Sequence, residues 1–178
     1  MDLQQIPTGK NPPEDVFAII ETPQGVEMIK YELDKASGLM FVDRFMHTAM
    51  YYPANYGFIP HTLSGDGDPC DILVVSPAPV TPGAVIRCRP VGVLALTDEG
   101  GEDEKILAVP VDKLYPAYKD VKTYRDLPNI LLDQIVHFFE HYKDLEAGKW
   151  VKLGGWQGPE EAHRLIREAM ARDAKEAK

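Results

Sequence analysis

Cysteine is nearly missing from this chain: only Cys70 and Cys88 occur among 178 residues. Two residues make no disulfide framework and fit no zinc spacing, so a reducing compartment, the cytoplasm, is expected. Long apolar runs are also missing. The longest apolar region, 84–96, is broken by Arg87 and Arg89 and falls short of the ~20 residues a membrane-spanning helix needs. Met1-Asp2-Leu3-Gln4-Gln5 has neither a basic start nor an apolar stretch after it, so no secretory signal is expected. Basic residues are outnumbered, 19 Lys and Arg against 28 Asp and Glu, for a formal charge of −9. That balance argues against nucleic acid or an anionic membrane as a partner, since either needs a basic face. The sequence shows no internal repeat, low-complexity block or dividing linker, and 178 residues suit a single domain, 1–178, with a sizeable core.

What is present is acid, and it is clustered. Asp66-Gly67-Asp68-Pro69-Cys70-Asp71 holds three carboxylates in six residues and runs straight into Ile72-Leu73-Val74-Val75. Anions this close repel one another, and the arrangement is cheap only if cations sit among them. Gly67 allows a sharp turn and Pro69 stiffens it, so the carboxylates can converge. Hard oxygen ligands of this kind suit Mg²⁺, Mn²⁺ or Ca²⁺. A calcium hand fails on spacing: its sixth position is Asp71 instead of Gly, and its twelfth is Pro77 instead of Glu. A solvated turn before a strand is the plain alternative. The metal reading gains from a second acidic cluster, Asp98-Glu99-Gly100-Gly101-Glu102-Asp103-Glu104-Lys105.

Around these clusters the chain is mainly β with helices late, an α+β pattern. Strands are predicted over 16–21, ending at Glu21, over 26–33 and over 39–44, joined as a meander. Alternation puts Lys30 and Glu32 on one strand face. Residues 51–60, with Tyr51, Tyr52 and Tyr56, read as an aromatic loop. Further strands are predicted over 72–75, 84–96 and 106–109, with Gly92 marking a bulge. Frequent turns between short strands argue for a small closed β-barrel. One helix, capped by Asp126 or Asn129, buries Leu131, Ile135, Phe138, Phe139, Tyr142 and Leu145 and carries Lys143. His137, His141 and Asp144 share a face of it, either solvated or meeting a symmetry mate. After an extended turn at 150–156, a last helix starts near Pro159 and frays from Ala171.

The polar residues so singled out mix carboxylates with cations, Lys30, Arg44, Lys105 and Lys143, and with the phenols Tyr52, Tyr56 and Tyr142. Taken singly, Lys30, Glu32 and Arg44 read as surface charges and the tyrosines as loop packing. Taken together they suit a strongly anionic ligand bridging metal and protein, and phosphate groups fit best. A nucleotide or polyphosphate phosphatase remains compatible with that set. A non-catalytic barrel binding nucleic acid or calcium fits less well, for want of a basic groove.

The motifs also carry a likeness. Asp66-Gly67-Asp68-Pro69-Cys70-Asp71 resembles the signature of the soluble family I inorganic pyrophosphatases of bacterial type. The likeness continues through Ile29-Lys30-Tyr31-Glu32, Phe41-Val42-Asp43-Arg44-Phe45, Tyr52-Pro53-Ala54-Asn55-Tyr56-Gly57, Arg87-Cys88-Arg89-Pro90-Val91-Gly92 and His137-Phe138-Phe139-Glu140-His141-Tyr142-Lys143. It implies an OB-fold-like five-stranded closed barrel with helices outside, and hydrolysis of pyrophosphate to two phosphates with several Mg²⁺ per subunit. By position it makes Asp66, Asp71 and Asp103 ligands of a tight metal site. Asp98 and, through water, Glu21 and Glu32 serve the further ions. It makes Asp68 the general base and gives Lys30, Arg44, Tyr56, Tyr142 and Lys143 to the phosphates, with Lys105 beside them and Tyr52 supporting. It also implies a hexamer of two trimers with His137, His141 and Asp144 near a subunit contact. Cys70 stands where the family more often has an aliphatic residue, and is expected to pack as a small hydrophobe unless exposed.

Overall fold

The computed structural model describes residues 5–26 and 28–176. Glu27 in the expected second strand, Ala177 and Lys178 at the expected frayed end, and Met1–Gln4 lie outside them.

Among the described residues nine strands and two long helices follow in order: β1 (Val16–Thr22), β2 (Ile29–Asp34), β3 (Leu39–Phe45), β4 (Asn55–Phe58), β5 (Asp71–Val74), β6 (Val85–Asp98), β7 (Gly101–Glu102), β8 (Lys105–Pro110), α1 (Asn129–His141), β9 (Val151–Gln157) and α2 (Pro159–Glu176). Seven strands form one sheet in the order β1-β4-β5-β8-β6-β7, with β9 on β6. Because β6 also pairs with β1, the hydrogen bonding runs around a ring of five strands.

Unbroken apolar runs make sense here because both strand faces are covered. Along β5, Leu73 joins a cluster with Leu94, Leu107, Ile135, Phe138 and Phe139, whereas Ile72 and Val74 join Val93 and Ile106 against Ala162, Ile166 and Ala169 of α2. One helix thus closes each side. The kink expected at Gly92 is present, as a register shift between Pro90 and Gly92 in the β6–β8 ladder, where Pro90 has no N–H to donate.

Several expectations need correction. The first three strands do not form a meander: β1 is held by β4 and β6, while β2 and β3 form a separate two-stranded ribbon. Both edges of β1 are already paired, so the ribbon is tied to it by side chains instead, Leu33 N–H donating to Glu21 Oε1 at 2.8 Å. Residues 55–58 are a buried strand and not loop; a Cβ at Gly57 would lie 1.9 Å from the Ile19 carbonyl oxygen, so the close pairing of β4 with β1 needs glycine there. Neither Asp126 nor Asn129 caps α1. Pro128 precedes it without a side-chain cap, and Asp126 instead closes the short turn 124–126 with Thr123. α1 stops at His141, so Leu145 falls beyond it and is exposed. α2 stays helical to Glu176, well past the expected fraying point.

Candidate active site

The ring places the chemistry at one end of the sheet. β5 and β8 run parallel with Asp71 opposite Lys105, so a carboxylate and an ammonium arrive side by side. Lys105 is only 3% exposed. Its Nζ donates to both Asp71 and Asp103 and lies 5.6 Å and 5.8 Å from the Tyr56 and Phe139 ring centroids. Burial alone would push the ammonium down, but the two carboxylates outweigh it and hold Lys105 above its ordinary range. Asp103 is nonetheless raised, by burial first, with Lys105 opposing and Asp71 adding to it. The two directions are compatible because one cation serves two buried carboxylates and leaves negative charge uncompensated.

The acidic loop between β4 and β5 stands beside this pair. Gly67, at φ 93°, makes the turn; Asp68 N–H donates to Asp66 Oδ1 at 3.0 Å, and Ser64 N–H to the Asp68 carbonyl at 2.6 Å. Asp68 itself reaches into solvent, its side chain 72% exposed and 3.4 Å from Lys35. At the far end of β6, Asp98 accepts from Lys143 at 2.6 Å. Burial tends to raise Asp98, but that bond and the Gly100 N–H lower it below its ordinary value. Glu21, at the end of β1, is 8% exposed, and burial pushes it up to about 7 against the Leu33 hydrogen bond. Burial also raises Tyr52, Tyr56 and Tyr142, so all three phenols stay protonated and can donate.

Every residue that the sequence singled out for chemistry lines one cavity of about 490 Å³: Glu21, Lys30, Glu32, Arg44, Tyr52, Tyr56, Asp66, Asp68, Asp71, Asp98, Asp103, Lys105, Tyr142 and Lys143. His137, His141 and Asp144 stand apart from it on α1 and the turn after it, with the two imidazole centroids 4.8 Å apart and His141 Nδ1 2.9 Å from Asp144. Cys70 is buried, with its thiol raised first by that burial, so it is not the exposed thiolate that oxidises readily.

Sequence reasoning missed five participants. Lys35, Glu99 and Lys149 also line the cavity; Glu99 lies 2.6 Å from Lys149 and 3.4 Å from Lys143, and these contacts bring it to about 2 although burial opposes them. Behind the cavity, Asp43 holds Lys30 at 3.1 Å and Glu146 holds Arg44 at 3.1 Å. Asp43 sits beside Arg44 in a quoted motif, and Glu99 within a quoted cluster, but nothing local marks Glu146, which meets Arg44 across about a hundred residues of chain.

Among the described residues no three His, Cys, Asp or Glu side chains converge as they stand, because Lys105 occupies the space between Asp71 and Asp103. Yet the cavity gathers eight carboxyl groups against six Lys and Arg, a formal excess of two acidic groups. All-oxygen donors with uncompensated charge fit hard divalent cations.

Comparison with known proteins agrees. A sequence model of the family described as inorganic pyrophosphatase matches residues 18–174. A Caulobacter vibrioides protein named inorganic pyrophosphatase is 64% identical over 172 residues, 97% of each chain. The crystal structure described as an inorganic phosphatase from Anaplasma phagocytophilum superposes with a TM-score of 0.94 at 52% identity, covering 96% of this chain and 99% of that one. The inorganic pyrophosphatase of Thermus thermophilus superposes with a TM-score of 0.92 at 41% identity, covering 98% and 99%.

Proposed function

The chain belongs to the inorganic pyrophosphatase family, and from that premise we propose that it hydrolyses inorganic pyrophosphate to two phosphates, with Mg²⁺ as cofactor and Asp68 as general base. The observation that carries this reading is the cavity, where carboxylates in excess stand among cations and protonated phenols. Asp66, Asp71 and Asp103 would hold the tightest ion, and Asp71, Asp98, Glu21 and Glu32 would serve those that accompany substrate. When bound, divalent cations polarise the phosphoanhydride and neutralise its charge; Mn²⁺ is a plausible substitute on the same oxygen donors.

The chain's own residues do the rest. Asp68, its side chain 72% exposed, is free to take a proton from a water attacking one phosphorus while the bond to the bridging oxygen breaks. Lys30 and Arg44, held by Asp43 and Glu146 outside the cavity, and Lys143, paired with Asp98 within it, neutralise phosphate oxygens and keep the departing phosphate in place. Tyr56 and Tyr142 donate from buried positions, and Tyr52 packs in tilted contact at 5.0 Å on Tyr56 and 4.7 Å on Phe138, fixing that wall.

The same reading takes 1–178 as a single pyrophosphatase domain and the five-strand ring as a closed OB-fold-like barrel. It places the protein in the cytoplasm, in phosphate metabolism, in keeping with two free, buried thiols. It also gives a homohexamer with the α1 face in a subunit contact. That face carries exposed Ile130 and borders a mostly apolar groove of about 640 Å³ lined by Met50, Tyr51 and His137. Phosphate release from pyrophosphate, tripolyphosphate and ATP, with Mg²⁺ and with chelator, tests the proposal. Rapid release from pyrophosphate alone, abolished by chelator, is expected; preference for ATP or tripolyphosphate would point to a broader phosphatase, and no release to a binding protein.

A further inference from the structure

The acidic loop poses a mechanical problem. Asp66 and Asp68 repel each other across a glycine turn, and the loop's internal bonds join it largely to itself: Thr62 Oγ1 donates to the Ile59 carbonyl at 2.6 Å and accepts from Cys70 N–H at 2.9 Å, while Gly67 N–H donates to Ser64 at 3.2 Å. A hold from outside would fix where the carboxylates point. The last turns of α2 supply one, and both of its bonds fall on one residue. Leu63 N–H donates to the Ala169 carbonyl at 3.0 Å, and Arg172 Nε donates to the Leu63 carbonyl at 2.7 Å. Leu63 lies three residues before Asp66. α2 is itself anchored on the sheet by fully buried Ala162, Ile166 and Ala169, so its end is a rigid post. A bond from a charged guanidinium is stronger than a neutral one and aims its acceptor.

We infer that Arg172, outside the cavity, is a positioning residue that sets the acidic loop and thereby the geometry at which Asp66 and Asp68 meet metal and water. This rests on the proposed function for its catalytic consequence, but not for the hold itself. Removing the guanidinium leaves the loop tied to α2 by the Leu63 N–H alone and so loosens it without touching any group in the cavity. The consequence is a change in metal requirement and turnover, with little change in affinity for pyrophosphate, whose oxygens are held by Lys30, Arg44 and Lys143 on other elements.

The test compares Arg172→Met, Arg172→Lys and, as a control on the same helix, Arg164→Gln, whose exposed side chain pairs with Glu161 and Glu168. Amide hydrogen exchange over 61–70 is measured first in chelator: Arg172→Met should speed it roughly tenfold while 105–110 stays protected, the pattern of a local opening. In hydrolysis assays Arg172→Met should lower kcat and raise the half-saturating Mg²⁺ each about 3- to 10-fold, towards the lower end for partners that orient ligands, with KM changed less than about twofold. Arg172→Lys should recover part of both effects, and Arg164→Gln should match the parent. Unaltered exchange over 61–70 would overturn the inference, as would unaltered kcat and Mg²⁺ dependence, or losses shared equally by Arg164→Gln. An inactive parent protein would overturn the functional reading instead, while the exchange result still decides whether Arg172 holds the loop.

Discussion

Replacing Lys105 by Met removes the one buried cation between Asp71 and Asp103 while keeping a similar side-chain volume. In the parent, Nζ donates to both carboxylates under the Tyr56 and Phe139 rings at 3% exposure. Breaking a buried ion pair by deleting one partner costs about 3–5 kcal/mol. Asp71 is a quarter exposed and Asp103 less so, so water recovers part of this and about 2–4 kcal/mol is expected. At this chain length 1 kcal/mol moves Tm by about 2–4 °C, so the variant should melt roughly 5–15 °C lower in chelator at pH 8. The pH dependence has a definite sign. Burial already holds Asp103 above its ordinary value, and losing Lys105 raises it further. A carboxyl whose folded value lies above its unfolded value loses stability as pH rises between the two, so the Tm gap should be widest at pH 8 and close towards pH 4. Added Mg²⁺, binding only the folded state, should narrow the gap. Calorimetry with chelator and with Mg²⁺ at both pH values reads all of this. A gap under about 2 °C in chelator, or one independent of pH, would refute the reasoning.

Further outcomes follow from the same geometry. Glu21→Gln keeps an acceptor for the Leu33 N–H but removes a carboxyl raised from 4.5 to about 7. In chelator the variant should gain up to about 3 kcal/mol above pH 7 and nothing below pH 4.5, read by denaturant unfolding, because the parent's penalty appears only as Glu21 ionises. Asp68→Asn, at a solvent-facing position, should leave Tm within about 2 °C. It should cut phosphate release by about 10²–10⁴, and near-parent turnover would show that another group takes the proton. Replacing His137 and His141, whose ring centroids lie 4.8 Å apart, by alanine should shift sedimentation towards smaller species; one unchanged species would remove the histidines from any subunit contact.

How much of this was legible before any coordinates depends on the range of the signal. The acidic clusters declared a site because mutual repulsion makes Asp66, Asp68 and Asp71 implausible without cations, and the cavity gathers them. Gly92 announced its bulge because a glycine inside a long strand run marks a corner or irregularity, and the register shifts between Pro90 and Gly92. The strand 55–58 stayed hidden because Tyr56 and Gly57 read as loop punctuation; only the approach of Ile19 explains the glycine. The separation of the β2–β3 ribbon was equally invisible, since pairing of β1 on both edges is decided by β4 and β6. Glu146 and Arg172 carry no local mark at all. Their importance comes from meeting Arg44 and Leu63, about 100 residues away in each case.

On the proposed function, the carboxylates around β5 and β8 gather divalent cations. Crystals soaked in Mn²⁺, with anomalous scattering recorded at the manganese edge, test it most directly. The account predicts peaks among Asp66, Asp71 and Asp103, with Lys105 withdrawn from between its carboxylates. Manganese bound only elsewhere, with Lys105 still bridging Asp71 and Asp103, would contradict it.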